Sequence, residues 1–155
     1  MELMNQVCSL ELAKELKNLG VKQDSLWYWV NYSGGAELIL ENNINEIMLK
    51  SKDTYSAFTV AEFGKKLPNM IRKDNLKWYQ LNISLGSEIN IKYIKTEQGH
   101  NLIQGGQGFN IMYMHIDNYG SGYKLYEVVD LNESNTRAKM LIYLIKNKYM
   151  CIDRN

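Results

Sequence analysis

An alternation of apolar and polar residues runs from Leu76 to Val129, and it constrains the fold more than any other pattern in the chain. A period of two places every second side chain on the same face of a β-strand. Turn residues divide the stretch into four segments: 76–85, 89–93, 109–116 and 123–129. Short turns between alternating segments predict a four-stranded antiparallel meander with one packed face and one solvated face.

Two amphipathic helices are predicted at the ends of the chain. Ser9 is placed to cap the first helix, and Gly20 to end it. Asn132 or Ser134 is placed to cap the last helix, which is wide enough to pack across a sheet. Its apolar residues recur at helical spacing, at Ala138, Leu141, Ile142, Ile145 and Tyr149, and are broadened by Met140 and Leu144.

A β-hairpin is predicted at residues 25–41, where an aromatic, β-branched run precedes the turn Ser33-Gly34-Gly35. Residues 42–52 are expected to form a loop or one short turn. Thr59 and Glu62 have the spacing of a capping box, and Phe58 and Phe63 that of a hydrophobic staple. A two-turn helix should therefore begin at Val60 and end before Pro68.

These elements together predict one α+β domain over residues 1–155. Its order is an N-terminal helix, a hairpin, a short capped helix, the meander over 76–129 and a C-terminal helix packed on the sheet. A chain of 155 residues can bury roughly 70% of its unfolded surface, which suffices for a core without disulfides or metal.

Charge and cysteine content exclude several classes of function. The 18 basic and 17 acidic residues leave a net charge of +1, so the broad positive field typical of nonspecific nucleic-acid binding is not expected. The two cysteines, Cys8 and Cys151, lie at opposite ends and do not form a disulfide framework. No apolar run of about 20 residues and no signal peptide is recognisable. We therefore expect a protein of the cytoplasm, with no membrane partner.

Three sites are candidates for chemistry, and each has a structural alternative. His115 shares a strand face with Asp117, as a base and its orienting carboxylate would, but no nucleophile motif accompanies the pair. Gly105, Gly106 and Gly108 form the one glycine-rich stretch, which is either a hairpin loop or a loop that closes on a ligand. No metal or cofactor motif is recognisable.

The third candidate is aromatic. Trp27 and Trp29 share one face of the first hairpin strand, whereas Tyr28 and Val30 share the other. Either the strand is covered on both faces, or one set is exposed and can anchor a protein partner. Trp78, Tyr113, Tyr126 and Tyr143 are expected in the core or as cross-strand partners.

Segments 12–30, 55–68 and 136–144 resemble a family of small uncharacterised proteins carried by phages and prophages. The resemblance rests on Leu12–Ser25 continuing into Tyr28-Trp29-Val30, on Tyr55–Glu62 with Leu67-Pro68, and on Thr136–Leu144. It covers about a third of the chain and implies a phage-type accessory protein without an assigned activity. Members of the family are usually shorter over 76–129, so the meander resembles an elaboration.

The favoured hypothesis is a non-enzymatic accessory protein that binds a host protein, including a defence component, or further copies of itself. The alternative is a small-ligand or nucleotide-binding protein that uses the glycine-rich stretch 105–108. Nucleic-acid binding is the least favoured function, because the net charge is near zero.

Overall fold

The structure is a computed structural model, and it describes residues 3–49, 51–73, 77–85, 94–96, 99–101, 108–116 and 122–151. The elements follow in the order α1 (Leu10–Asn18), β1 (Trp27–Tyr32), β2 (Gly35–Leu40), α2 (Glu46–Leu49), β3 (Thr54–Ser56), α3 (Val60–Lys66), β4 (Met70–Lys73), β5 (Lys77–Leu85), β6 (Ile94–Thr96), β7 (Gly99–Asn101), β8 (Phe109–Ile116), β9 (Gly122–Asp130) and α4 (Glu133–Lys146). The fold class is α+β, as predicted.

The first sheet has the strand order β2-β1-β3, and both of its pairings are antiparallel. The predicted hairpin supplies β1 and β2, in a register that pairs Trp29 with Leu38. The third strand was not predicted, because three residues are too few to show a period. Its residue Tyr55 pairs with Trp29 from the other side.

The second sheet is antiparallel, as predicted, with the strand order β4-β5-β8-β9. Three of the predicted segments supply β5, β8 and β9. The edge strand β4 was not predicted, and the predicted strand 89–93 lies outside the described residues. A separate two-stranded ladder joins β6 to β7.

Helix α1 begins and ends as its sequence predicts. The Ser9 hydroxyl accepts a hydrogen bond from the amide of Leu12, and Gly20 has a φ of +87°, which favours glycine. The amides of Gly20 and Val21 donate to the carbonyls of Lys17 and Leu16 at 2.9 and 3.0 Å. These two hydrogen bonds form a Schellman motif, which directs the chain towards β1.

Helix α3 contains the predicted capping box. The Glu62 carboxylate accepts from the amide of Thr59 at 2.6 Å, and the Thr59 hydroxyl accepts from the amide of Glu62 at 3.3 Å. The rings of Phe58 and Phe63 lie 5.5 Å apart, as a hydrophobic staple requires. Glu62 also accepts from the amide of Leu26 at 2.9 Å, so α3 is joined to the start of the first sheet.

Helix α4 is capped by Asn132, whose side chain accepts from the amide of Asn135. The other predicted cap, Ser134, is buried and donates to the carbonyl of Phe58 at 2.7 Å. The amide of Cys8 donates to the same carbonyl at 3.0 Å. The first turn of α4 therefore meets the N-terminal segment and the start of α3 at one point.

A cluster of buried apolar residues connects the helices with both sheets. It includes Leu16 of α1, Phe58 and Phe63 around α3, and several residues of α4 and of the second sheet: Ala138, Met140, Leu141, Leu144, Ile71, Tyr79, Ile111, Tyr113 and Val128. The three segments that carry the family resemblance thus supply much of the core, and the second sheet packs on α4.

Candidate functional site: the open face of the second sheet

The first sheet is covered on both faces. Trp29 is only 7% exposed, and its indole N–H donates to the carbonyl of Cys8 at 2.9 Å. Trp27 is half-buried against the same core. On the opposite face, Tyr28 and Val30 are buried in a second cluster with Ile44. Of the two arrangements that the sequence left open, the structure has the doubly covered strand, so Trp29 is not free to anchor a partner.

The glycine-rich stretch is described only at its end. Gly105 and Gly106 lie outside the described residues, whereas Gly108 is buried and leads directly into Phe109 at the start of β8. Phe109 lines a cavity of about 830 Å³ beside the first residues of α3 and α4. The other lining residues are Asn5, Gln6, Thr59, Val60, Ala61, Leu131, Asn132 and Glu133.

His115 lies on the core side of β8, where its ring packs against Tyr79 at a centroid distance of 5.6 Å. Its Nδ1 lies 2.9 Å from the carbonyl oxygen of Trp78. A carbonyl oxygen only accepts hydrogen bonds, so this geometry places the proton on Nδ1. Asp117 lies outside the described residues. The contacts that the structure gives His115 connect two neighbouring strands.

The three sequence-predicted candidates do not form one site. Trp27 and Trp29 belong to the first sheet, His115 lies on the core side of the second sheet, and Gly108 precedes Phe109 at the start of β8. The part of the chain that the structure describes contains no group of three or more His, Cys, Asp or Glu side chains able to hold a metal ion.

Among the residues that the structure describes, the second sheet differs from the first, because a buried apolar cluster packs on only one of its faces. Tyr79, Ile111, Tyr113 and Val128 point to the core and towards α4. The register then places the alternate side chains on the opposite face, which we call the open face. Its residues are Met70, Arg72, Trp78, Gln80, Asn82, Ser84, Asn110, Met112, Met114, Lys124, Glu127 and Val129.

Trp78 is the largest side chain on the open face, and it is 52% exposed. Across the β4–β5 pairing it lies opposite Arg72, whose guanidinium carbon is 5.6 Å from the centre of the indole. Met70 is also 52% exposed, and Met114 is half-buried. Trp78, Met70 and Met114 border a shallow hollow of about 350 Å³, which Leu81 also lines.

The far end of the open face has a polar network of three side chains. Lys124 donates to Glu127 at 2.7 Å, and the amide of Asn110 donates to the other carboxylate oxygen, also at 2.7 Å. The hydrogen bonds from Lys124 and from Asn110 lower the pKa of Glu127. The carboxylate is thus held in its charged form and is already compensated by a neighbouring cation.

Of the two positions expected for Trp78, in the core or as a cross-strand partner, the structure has the second, opposite Arg72 and exposed. The signal that places it outside is present in the sequence. Trp78 has the same phase as Gln80, Asn82 and Ser84, whereas Tyr79, Leu81 and Ile83 have the opposite phase. Since alternate residues share a face, the polar partners of Trp78 indicate the open face.

The buried ionisable groups are not arranged for reaction. Burial raises the pKa of the Cys8 thiol to about 12, so it stays protonated and unreactive at neutral pH. Burial also raises the pKa of Tyr113, whose hydroxyl donates to the carbonyl of Pro68. Desolvation lowers the pKa of Lys17, whose ammonium donates to the carbonyls of Ser51 and Thr54. The hydrogen bonds of Tyr113 and Lys17 hold backbone segments in place.

Comparisons with protein-family models, with curated proteins and with solved structures give no match for this chain. None of the described helices is both long enough and apolar enough to cross a bilayer. The open face therefore stands as the candidate site on its own geometry.

Proposed function

We propose that this protein is a non-enzymatic, phage- or prophage-type accessory protein that binds a protein partner through the open face. The observation that carries the proposal is the exposure of Trp78, at 52%, on an uncovered sheet face. Tryptophan is among the residues most enriched at interface hot spots. Leaving so large an apolar side chain in solvent forgoes stability, and a docking partner would recover it.

The surroundings of Trp78 suit a protein partner. Met70 and Met114 present flexible, polarisable thioethers, which adapt to differently shaped apolar side chains. Arg72, stacked over the indole, is of the second residue type enriched at such sites. The polar residues Gln80 and Asn82 supply hydrogen-bonding groups around this apolar centre, as the rim of an interface does.

The phage-type part of the proposal rests on the resemblance of segments 12–30, 55–68 and 136–144. These segments supply much of the core, whereas the open face, apart from Met70 and Arg72, belongs to the stretch that resembles an elaboration of the family. In this proposal the three segments form the core that the family shares, and the stretch 76–129 supplies the surface that binds a host component. We place its action in the cytoplasm of a bacterial host cell.

A pull-down from bacterial lysate tests the proposal when the wild-type protein is compared with Trp78→Ser. Tyr32→Ser is a matched control, because Tyr32 is a 46% exposed aromatic residue at the end of β1 in the first sheet. We expect a specific protein to be captured by the wild type and by Tyr32→Ser, but lost with Trp78→Ser. Light scattering on the same samples reports self-association through the same face.

Equal capture by Trp78→Ser and the wild type, with all three proteins monomeric, would overturn the proposal. Circular dichroism of each variant separates loss of binding from loss of folding.

A small-ligand or nucleotide-sequestering function is the second candidate, and the cavity beside Phe109 favours it. Its volume of about 830 Å³ and its mixture of apolar and amide side chains are typical of ligand sites. A ligand at 100 times its dissociation constant adds about 2.7 kcal/mol to the stability. A thermal-shift panel of nucleotides should therefore show a clear shift with the wild type and none with Ala61→Phe, which narrows the cavity. The absence of a shift with every nucleotide would remove nucleotide binding.

A further inference from the structure

We infer that this protein forms a two-fold symmetric dimer in which the edge strand β2 pairs with β2 of a second copy. This dimer goes beyond the proposed function, because it uses the first sheet and not the open face of the second. In the part of the chain that the structure describes, β2 pairs with β1 alone, so it forms one edge of the first sheet. An edge strand presents backbone N–H and C=O groups that can pair with another chain.

The hydrogen bonds of the first sheet show which backbone groups of β2 face outwards. The amide of Glu41 donates to the carbonyl of Leu26 at 2.9 Å, so these two residues bond across the hairpin. Residues that bond to a given neighbouring strand alternate along an antiparallel strand. The residues of β2 whose N–H groups point away from β1 are therefore Ala36, Leu38 and Leu40.

The edge formed by β2 is regular and carries little charge. Its six residues pair with β1 without a register shift, and its single charged residue is Glu37. The other strands at the edges of the first and second sheets differ: β3 has three residues, β4 has four, and β9 has a register shift and carries Lys124. Short length, bulges and lysine side chains are common protections against edge pairing. Association through β2 alone ends at a closed dimer.

One register of β2 against its own copy satisfies the backbone. When Leu38 lies opposite Leu38 of the second copy, Ala36 lies opposite Leu40, so all three outward-facing residues meet outward-facing residues. On the other face of the strand, Glu37 then lies opposite the apolar Ile39.

The neighbouring registers are less favourable. A shift of two residues in either direction leaves one outward-facing residue of each copy without an outward-facing partner in β2. One shift also places Glu37 opposite Glu37, and the other places Glu37 opposite Glu41. Like charges on directly opposed residues destabilise a strand pair. Charge and backbone geometry therefore favour the same register.

The apolar side chains of β2 suit this pairing. Leu38 packs on the cluster that contains Trp29, and Ile39 packs on the opposite cluster with Tyr28. Both Leu38 and Ile39 are only half-buried. A second β2 would extend both clusters across the two-fold axis, so association would bury apolar surface as well as backbone groups. A strand pair of this length is a small interface, and we expect the dimer to dissociate on dilution.

Analytical ultracentrifugation over a range of protein concentrations tests for the dimer. Leu40→Pro is the main variant, because the φ of Leu40 is −70°, which proline adopts, and its N–H points away from β1. It should weaken self-association about 30-fold, since a donor is lost at each end of the strand pair. Leu40→Ala is the matched control, because it truncates the side chain but keeps the N–H, and it should weaken self-association less than about fivefold. Circular dichroism compares the folding of both variants with the wild type.

Cysteine cross-linking tests the register without proline. The background is Cys151→Ser, which removes an exposed thiol and leaves the buried Cys8. Leu38→Cys should be cross-linked between chains by a short thiol reagent, because directly opposed bonded residues have Cα atoms about 5.5 Å apart. Ala36→Cys is the control, because it lies four residues along from its own copy, roughly 13 Å or more away. It should be cross-linked at least about fivefold less, although residue 36 is the more exposed of the two.

Trp78→Ser should dimerise within about twofold of the wild type, because Trp78 belongs to the second sheet. A wild-type protein that stays monomeric at millimolar concentration would overturn the inference. So would an undiminished dimer of folded Leu40→Pro, equal cross-linking at residues 36 and 38, or loss of the dimer in Trp78→Ser. If Leu40→Pro does not fold, the cross-linking comparison decides. The proposed function is judged separately, by the pull-down of Trp78→Ser, repeated in the Leu40→Pro background where that variant folds.

Discussion

The first and the second sheet use tryptophan in opposite ways. In the first sheet, Trp29 is 7% exposed and its indole N–H is bonded to the carbonyl of Cys8. In the second sheet, Trp78 is 52% exposed and lies beside a guanidinium group. The first sheet is enclosed between two apolar clusters, whereas the second rests on α4 and has no apolar cluster of described residues on its other face. The first sheet is thus part of the core on both faces, whereas the second sheet has one core face and one exposed face.

This difference separates stability from binding. A residue buried on both sides of a sheet is determined by packing, and its loss leaves a cavity. A residue on an uncovered face is free to serve a partner, because the fold needs little from it. The predictions that follow use this separation, beginning with the largest expected effect.

Replacing Trp29 with Ala should lower the free energy of unfolding by about 3–5 kcal/mol, the usual cost of removing a buried aromatic side chain. The same replacement at Trp78 should cost less than about 1 kcal/mol, because half of that side chain is already solvated. Urea denaturation of the two variants measures both quantities. Equal losses of unfolding free energy at the two positions would show that the two tryptophans do not differ in their contribution to the fold.

Replacing Glu62 with Ala should cost about 2 kcal/mol, and replacing Thr59 with Ala about 1 kcal/mol. Both changes remove the capping box of α3. Glu62 costs more because its carboxylate also accepts from the amide of Leu26 and the hydroxyl of Ser25. Thermal and urea unfolding compare the two variants with the wild type. A Glu62 variant no less stable than the Thr59 variant would show that the bonds to the first sheet contribute nothing.

These caps are the part of the fold that the sequence predicts best. The capping box, the staple and the Schellman motif each depend on residues within a few positions of one another. The hairpin over 25–41 and most of the second sheet are also visible from their patterns. Local chemistry decides such elements before any tertiary contact forms.

The elements that were missed depend on distant partners. Strand β4 is the sequence Met70-Ile71-Arg72-Lys73, which has two charges and no extended alternation. It is a strand because β5 pairs with it. Whether the first sheet is enclosed likewise depends on Ile44, which lies in the segment expected to be a loop or short turn. The open face, by contrast, is predictable from the sequence, because Trp78 shares a strand face with polar residues. The hydrophobicity of Trp78 alone suggests the core.

Replacing Tyr126 with Leu should cost about 0.5–1.5 kcal/mol, the contribution of a stacked aromatic pair. Tyr126 of β9 stacks on Tyr143 of α4, with a centroid distance of 3.5 Å and an interplanar angle of 5°. The pair belongs to the packed side of the second sheet, so the change tests how that side is held. Tyr143→Leu should cost a similar amount, and the double variant less than the sum of the two. Additive losses, measured by urea unfolding, would show that the rings do not interact.

The smallest expected effect concerns the polar network of the open face. The pKa of Glu127 is lowered in the folded protein, so its contribution to stability is present above the unfolded pKa and is lost as the pH falls through the folded pKa. The pair is partly exposed, and the network should contribute only a few tenths of a kcal/mol. The difference in unfolding free energy between the wild type and Glu127→Gln should therefore be small at neutral pH and disappear as the pH falls below the ordinary pKa of a glutamate and through the lowered pKa of Glu127. Urea unfolding at several pH values, with Lys124→Gln as the partner control, checks this. A loss above about 1 kcal/mol at neutral pH would mean that the open face stabilises the fold as strongly as a helix cap does. The distinction between packed faces that stabilise the fold and an open face that does not would then be wrong.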